Sequence, residues 1–482
     1  MVVVGAGPAG LTAAAELTGA GFEVIVLEQD EHYVGGLART VGHRGFRFDI
    51  GGHRFFSTNE EIVRWWHRRL PEDFLRVRRQ SRILYQRRLY DYPLRAANTL
   101  RNLGLCSSTA CVLSYLWARC CPTRPELTFE EWVTNRFGRR LFNIFFKTYT
   151  ERVWGLPCSE ISADWASQRI KGLSLKDVLL HALRGQRRDG VVIKTLLEEF
   201  QYPRLGPGMM WERTREDLEH GGVRIYMGRK VQEIRRDGGL VRSVRTHSRA
   251  EGAEDWPADA FIVSMPLREV VLGMRPRMSE AVEAAARALQ YRDFITVALI
   301  VRGEQLFPDN WIYVHDPDVH VARVQNFNNW SRAMVPEAGV TCLGLEYFCT
   351  AGDALWERSD AALAELASRE AVQIGLVPAG AVRDARVVRM EKAYPVYDRG
   401  YAERVQVIRE ALAGIENLQS VGRNGMHKYN NQDHSMLTGL LAARNLNLGA
   451  FNLWNVNTDA QYQEAGCGTG EGRARGSQRR GR

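Results

Sequence analysis

The first 28 residues, MVVVGAGPAGLTAAAELTGAGFEVIVLE, hold two β-branched apolar runs separated by a glycine motif and an alanine-rich stretch. Val2, Val3 and Val4 lack the alternation of a half-exposed strand, so they predict a strand buried on both faces. Gly5, Gly7 and Gly10 follow with the spacing G-x-G-x-x-G. The first glycine permits a tight turn, the second lets a pyrophosphate approach the backbone, and the third lets a helix lie close to the strand. Residues 11–20 predict that helix and residues 24–27 a second buried strand, with Glu28 at its end. The helix N-terminus presents free N–H groups and a positive dipole end, which favour an anion. Glu28 is spaced so that its carboxylate can accept from a ribose hydroxyl. A complete βαβ unit of this kind predicts a doubly wound α/β core that holds a dinucleotide.

Farther along lie Gly35-Gly36-Leu37-Ala38-Arg39-Thr40 and Phe48-Asp49-Ile50-Gly51-Gly52-His53. These segments resemble the flavoprotein superfamily of amine oxidases, protoporphyrinogen oxidase and UDP-galactopyranose mutase. The resemblance implies FAD as the dinucleotide, with Gly35, Gly36 and Arg39 extending the pyrophosphate cradle. It implies an α/β fold with α+β parts: a Rossmann-like FAD-binding domain, an inserted helical domain and an antiparallel-sheet substrate domain. The cofactor domain is expected in three pieces, residues 1–57, 203–275 and 415–460. The helical domain is expected at 58–202 and the sheet domain at 276–414.

The local patterns agree with that division. Phe129-Glu130-Glu131-Trp132-Val133 and residues 141–146 set bulky apolar side chains three and four apart, the helical period. Gly206-Pro207-Gly208 breaks the region. Residues 210–218 predict a helix, and 223–227, 231–235 and 241–246 predict short strands. Residues 259–266 predict a buried strand that ends at Pro266. Runs such as Val297-Ala298-Leu299-Ile300-Val301, between residues 294 and 393, predict an antiparallel sheet. Residues 418–423 predict a last strand and turn, and 436–445 the last helix.

A hydrophobic content of 45% and a charged content of 25% are those of a globular chain. The net charge of +9 is uneven, because five arginines against Glu471 give residues 466–482 a charge of +4. That Gly/Arg-rich tail is expected to be disordered. The eight cysteines show neither C-x-x-C spacing nor a zinc-type cluster with histidine, so no metal is expected and the thiols are expected to be reduced. With the first strand at residue 2, no export signal is expected, and the implied location is cytoplasmic. The most apolar helical stretch, 105–116, contains Ser107, Ser108 and Thr109 and is too short to span a bilayer. It reads as a core helix, with a one-leaflet membrane contact as the alternative.

Further segments narrow the resemblance. They are Gly51-Gly52-His53-Arg54-Phe55-Phe56-Ser57, Arg152-Val153-Trp154-Gly155-Leu156-Pro157 and Trp165-Ala166-Ser167-Gln168-Arg169. Trp311-Ile312-Tyr313, Tyr394-Pro395, Gly422-Arg423 and Asn431-Gln432-Asp433-His434-Ser435-Met436 join them. Together they look like UDP-galactopyranose mutase. The implied activity is a pyranose–furanose isomerisation in which N5 of reduced FAD acts as nucleophile on the anomeric carbon of a nucleotide-linked hexose. The diphosphate leaves and returns, with no net oxidation.

By the same resemblance, Arg169 and Arg323 hold the diphosphate, where the guanidinium fork matches phosphate oxygens. Tyr313, Tyr394 and Tyr429 each offer the ligand a ring face and a hydroxyl. His53 lies against the flavin and tunes N5. Gly52, Val231, Arg423, Asn431, Gln432, Ser435 and Met436 complete the cofactor set, and Asp433 and His434 are expected to cap the last helix. The implied partners are a nucleoside diphosphate sugar and a reductant, either NAD(P)H or a reductase. No nucleic acid and no membrane span are expected, and the oligomeric state stays open, a dimer included. Residues between Leu183 and Tyr202 depart from the mutase pattern, so the base and the sugar stay open. The competing reading is an FAD-dependent oxidoreductase of the amine or porphyrinogen oxidase type, where N5 accepts a hydride. It calls for a more apolar or aromatic cage around the flavin.

Overall fold

Val2–Val4 (β1) is buried on both faces because it is the middle strand of a five-stranded parallel sheet. It pairs with Ile25–Leu27 (β2) on one side and Phe261–Val263 on the other. Leu418–Ser420 and Arg224–Tyr226 form the two edges. The computed structural model describes residues 1–92, 94–163, 165, 199–248, 252–449 and 451–457. Arg169, residues 183–198 and the tail 466–482 lie outside the described residues.

Pro8–Gly19 (α1) joins β1 to β2, with Pro8 in the first turn, where its missing N–H costs nothing. A Cβ at Gly10 would fall 1.8 Å from the Gly5 carbonyl oxygen, so only glycine lets α1 close onto the turn. The last helix, Gln432–Leu448, crosses α1 just as tightly: a Cβ at Gly439 would fall 2.1 Å from the Ala9 oxygen. Both N-termini therefore come to the same end of the parallel sheet.

A four-stranded sheet runs in the order Gly252–Pro257, Leu240–Ser248, Lys230–Asp237, Met274–Arg275. A seven-stranded sheet runs in the order Val382–Pro395, Tyr291–Arg302, Val340–Cys349, Arg323–Asn326, Trp311–Val314, Ser81–Tyr85, Arg88–Asp91. Its strands Tyr291–Arg302 and Val340–Cys349 are buried on both faces. Val297, Leu299 and Val301 face the core under the helix Asp360–Gln373, while Phe294, Ala298 and Ile300 face an aromatic core.

Two features differ from the sequence expectation. Residues 58–202 are not helical throughout: Phe74–Arg78 pairs with Glu199–Pro203, and the hairpin of Ser81–Tyr85 and Arg88–Asp91 extends the seven-stranded sheet. The hairpin turn uses Gln86 and Arg87 at φ +50° and +58°, a left-handed pair usually made by Asn-Gly, so the composition does not announce it. Arg82 is tolerated in the strand because buried Asp309 accepts from its Nε at 2.9 Å.

The second difference is the helix Leu105–Cys120. It buries Ser108, Cys111 and Ala118, while Leu105, Leu113, Leu116 and Trp117 point outward. Its small residues, not its large ones, face the neighbouring helices Phe129–Phe137 and Arg139–Phe142. Among the described residues, no helix is long and apolar enough to cross a membrane.

Candidate cofactor and substrate site

Where β1 and β2 end and α1 begins, the chain leaves a cavity of about 450 Å³. Gly5 turns the backbone at φ +98°, and its N–H donates to the Leu27 oxygen at 2.7 Å. Gly7 lines the cavity, and nothing lies within 4 Å of where its Cβ would be. The N-terminus of α1 therefore opens onto the cavity. Gly36, at φ +53°, closes the other side, with its Cβ position 3.5 Å from Gly7 Cα. The result is a cradle of bare backbone at a positive helix end, which suits a pyrophosphate.

Glu28 lies at one end of the cavity. Its Oε2 accepts the Ala6 N–H at 2.6 Å and its Oε1 the Asp30 N–H at 2.9 Å. The carboxylate thus fixes the turn before α1, a second duty beyond the ribose contact the spacing suggested. Each oxygen keeps a lone pair for a hydroxyl. Burial raises the Glu28 pKa, and the two backbone N–H bonds oppose that shift. The Arg229 N–H donates to the Glu28 oxygen at 2.7 Å, which brings Arg229, Lys230 and Val231 to the same end.

Three polar atoms on this wall have no partner among the described residues. Arg39 is tied to Asp30 at 2.6 Å, yet its Nε is buried and unmatched. Gln432 Oε1 accepts from Trp211 Nε1 at 3.2 Å, and its Nε2 is unmatched. Asn424 Nδ2 donates to the Lys392 oxygen at 2.8 Å, and its Oδ1 is unmatched. Unsatisfied buried groups cost roughly 1–3 kcal/mol each, a cost that a ligand rich in acceptors and donors removes. The cradle, the ribose-facing carboxylate and these three atoms fit a flavin dinucleotide.

His53 and Arg423 line the far end of the cavity. His53 Nδ1 lies 3.1 Å from the Gly51 oxygen. Burial, with the Arg423 and Arg323 charges behind it, pushes the His53 pKa down to about 3, so the ring is neutral at neutral pH. A base that is harder to protonate folded than unfolded contributes stability above its unfolded pKa of 6.5, lost as the pH falls toward about 3. Replacing His53 by Gln is expected to remove this acid-sensitive component. The gap in unfolding free energy between wild type and His53→Gln should narrow from about pH 7 to about pH 4; denaturant titrations across that range measure it. A constant gap would mean that the ring titrates normally.

Beyond His53 the wall becomes aromatic. The Arg423 guanidinium lies 4.7 Å from the Tyr429 ring and 5.4 Å from the Tyr394 ring, and those rings stack at 5.6 Å. Burial and the neighbouring Tyr429 push the Tyr394 hydroxyl up to about 12, so it stays a neutral donor. Tyr313 packs on Tyr92 at 5.2 Å and on Tyr149 at 5.4 Å. Arg323 is opposite Tyr313 in the strand register and opposite Glu346 on its other side. Its Nε donates to Glu346 Oε2 at 2.5 Å, Glu346 is fully buried, and Gln325 Nε2 donates to Glu346 Oε1 at 2.8 Å. Arg323 thus carries a built-in counter-ion that the sequence did not reveal.

Arg79 is a cation that the sequence reading missed. Its guanidinium lies 5.6 Å from the Tyr92 ring and 5.4 Å from the Trp311 ring. Its Nε and one terminal nitrogen are buried with no partner among the described residues. The Arg54 guanidinium lies 6.0 Å from the Trp311 ring. Arg79 stands in an arginine-rich run, Arg76 to Arg79, where nothing in the spacing marks it out.

Gly5, Gly7, Glu28, Gly36, Arg39, His53, Val231, Arg423, Asn431, Gln432 and Ser435 line the cavity. Gly10 packs on Gly5 and Gly35 on Trp211, so these two buried glycines act one layer back, while Gly52 is exposed beside Gln325. Met436 is in the core, where its sulfur accepts from Trp66 Nε1 at 3.0 Å. Tyr313, Tyr394, Tyr429 and Arg323 do not line the cavity but pack in the aromatic cluster beside it. The N-cap of the last helix is Asn431, not Asp433, and His434 takes part in the capping from the third helical position. The Asn431 N–H donates to His434 Nδ1 at 3.2 Å, and Asp433 and Ser435 fall inside the first turn. The missed wall residues Ser264, Lys392, Asn424 and Asn430 come from strand ends, a loop and the one-turn helix Gly422–Gly425, which carry no motif.

Residues 8–384 match the protein family described as flavin containing amine oxidoreductase. Among solved structures, reduced UDP-galactopyranose mutase superposes with a TM-score of 0.79 at 22% identity, over 95% of this chain and 97% of that one. A protein from Exiguobacterium sp. 255-15 with a provisional protoporphyrinogen oxidase name gives a TM-score of 0.69 at 19% identity, over 92% and 97%. Putrescine oxidase bound to putrescine gives 0.59 at 16% identity, over 92% and 98%. At such identities the likeness is one of fold. Curated relatives include two that match over short stretches. One is the inactive all-trans-retinol 13,14-reductase of Danio rerio, 51% identical over 51 residues, which are 11% of this chain and 8% of that protein. The other, an uncharacterized protein in the nifH2 3′ region of Methanothermococcus thermolithotrophicus, is 43% identical over 60 residues, 12% of this chain and 57% of that protein.

Proposed function

Because this chain belongs to the flavin containing amine oxidoreductase family, we propose that it binds FAD and interconverts the pyranose and furanose forms of a nucleoside diphosphate sugar. Gly5, Gly7, Gly36 and the α1 N-terminus would hold the pyrophosphate, Glu28 the ribose, and Arg39, Asn424 and Gln432 the remaining polar edges. When bound and reduced, FAD supplies a nucleophilic nitrogen for the anomeric carbon.

The protein's own part is to hold the diphosphate as it leaves and returns. Arg323 keeps its charge because Glu346 fixes it in place. Arg79 offers two unmatched N–H groups from an aromatic sandwich. Tyr313 and Tyr394 present hydroxyls, and neutral His53 can donate or accept a hydrogen bond without adding charge. A chamber of arginines on aromatic walls suits a planar, anionic ligand.

The two buried nitrogens of Arg79 without a partner among the described residues are the single observation that carries the reading. Replacing Arg79 by Ala is expected to weaken nucleoside diphosphate binding roughly tenfold to a hundredfold, since a charged hydrogen bond contributes about 1.5–3 kcal/mol. FAD content should stay at the wild-type level, and Lys should rescue only in part because it lacks the fork. Titration of several nucleoside diphosphates tests this; equal affinity in wild type and Arg79→Ala would remove the diphosphate site from this wall.

The oxidoreductase reading has one observation of its own, the stacked Tyr394–Tyr429 pair. Such a pair resembles the aromatic cage expected for a hydride donor. Arg423 already occupies the cation position over both rings, so an ammonium substrate would meet a like charge there. That repulsion favours the anionic substrate.

A further inference from the structure

We propose that the outer face of Leu105–Cys120, together with Ala96–Leu103 before it, docks on an anionic lipid surface. The two helices meet at Gly104, which turns the chain at φ +78°. Leu105, Leu113, Leu116 and Trp117 recur along one face and are 86%, 62%, 51% and 72% exposed. Leu100, on the first helix, is 47% exposed. Of the eight large apolar side chains exposed among the described residues, these are five. Scattered exposed leucines need no explanation, but a cluster of this size marks a contact surface.

The charge around the cluster selects the occupant. From Tyr92 to Pro125 the chain has four arginines, Arg95, Arg101, Arg119 and Arg124, and no aspartate or glutamate. Arg101, Arg119 and Arg124 are exposed. No ion pair is formed by these three among the described residues. A two-fold contact with a second copy would bring the same arginines face to face. An anionic leaflet instead takes the leucines and the indole into its acyl boundary and the guanidiniums at its headgroups. The helix is too short to span, so it would lie in the interface plane.

Co-sedimentation of the full chain with lipid vesicles is the test. One set is phosphatidylcholine alone, and the other contains about a third phosphatidylglycerol. Binding to the phosphatidylglycerol vesicles is expected to be at least tenfold stronger and to weaken as salt is raised. Leu113→Glu with Trp117→Glu is expected to cut that binding tenfold or more. FAD content and thermal midpoint should stay unchanged, because both side chains face solvent. Arg101→Gln with Arg119→Gln should weaken binding to the charged vesicles and leave the neutral ones as they were. Binding to neither vesicle, or full binding by the Leu113→Glu, Trp117→Glu variant, would overturn the assignment. So would a dimer, seen by light scattering, that Leu113→Glu converts to monomer, since a second copy would then cover this face.

Discussion

Arg323→Ala is expected to lower the stability of the folded chain by about 3–5 kcal/mol, far more than the loss of a surface ion pair. Glu346 is fully buried and loses its counter-ion when the guanidinium is removed. Gln325 Nε2 alone cannot neutralise a carboxylate. Adding Glu346→Gln should restore most of the stability, because the uncompensated charge is then gone while the amide still meets Gln325. The double variant should nevertheless bind nucleoside diphosphate poorly, which separates the ligand role of Arg323 from its structural one. Burial already raises the Glu346 pKa above 4.5. A carboxyl with a raised folded pKa favours the folded state at low pH and loses that contribution as the pH rises through the folded value. The defect of Arg323→Ala should therefore be smallest in acid. Chemical denaturation of wild type, Arg323→Ala and the double variant at two pH values measures this. A loss under about 1 kcal/mol in Arg323→Ala would place the pair in solvent, not in the core.

The second large effect separates two glycines of one motif. Gly7→Glu adds its side chain where no atom lies within 4 Å, so the fold should survive and the new carboxylate should project into the pyrophosphate cradle. Purified protein should be folded and colourless. Gly10→Ala puts a Cβ 1.8 Å from a carbonyl oxygen, which forces α1 off the sheet. Overpacking of that kind costs about 3 kcal/mol or more when backbone must move, so this variant should lose thermal stability and flavin together. Flavin absorbance per chain and the thermal midpoint read both outcomes. Full flavin retention by Gly7→Glu, or a wild-type midpoint in Gly10→Ala, would contradict the cradle described above.

The contrast between those glycines and Arg323 shows what the sequence could reveal. The βαβ unit was legible because its signals are local: β-branched runs give buried strands, and glycine spacing encodes backbone geometry within ten residues. Arg323 and Glu346 meet only through strand register, and register is set by the whole sheet. Arg79 sits in a run of arginines, and only the folded chain shows that its guanidinium lies against the Tyr92 and Trp311 rings while Arg76 and Arg78 are exposed. The hairpin after Gln80 was hidden by its Gln-Arg turn. The helix Leu105–Cys120 misled because apolar residues usually face inward, whereas here Ser108, Cys111 and Ala118 do so. The cap of the last helix went to Asn431 because His434 can reach back to its N–H, a contact that composition does not encode.

The most direct test of the proposed function is product analysis with a panel of nucleoside diphosphate hexoses, with the flavin held oxidised or reduced by dithionite. The reading predicts furanose product only with the reduced flavin, many turnovers for each flavin, and no reductant consumed once reduction is complete. Turnover by the oxidised flavin, or one equivalent of oxidant or reductant consumed for each product, would contradict it and assign the chamber to hydride transfer.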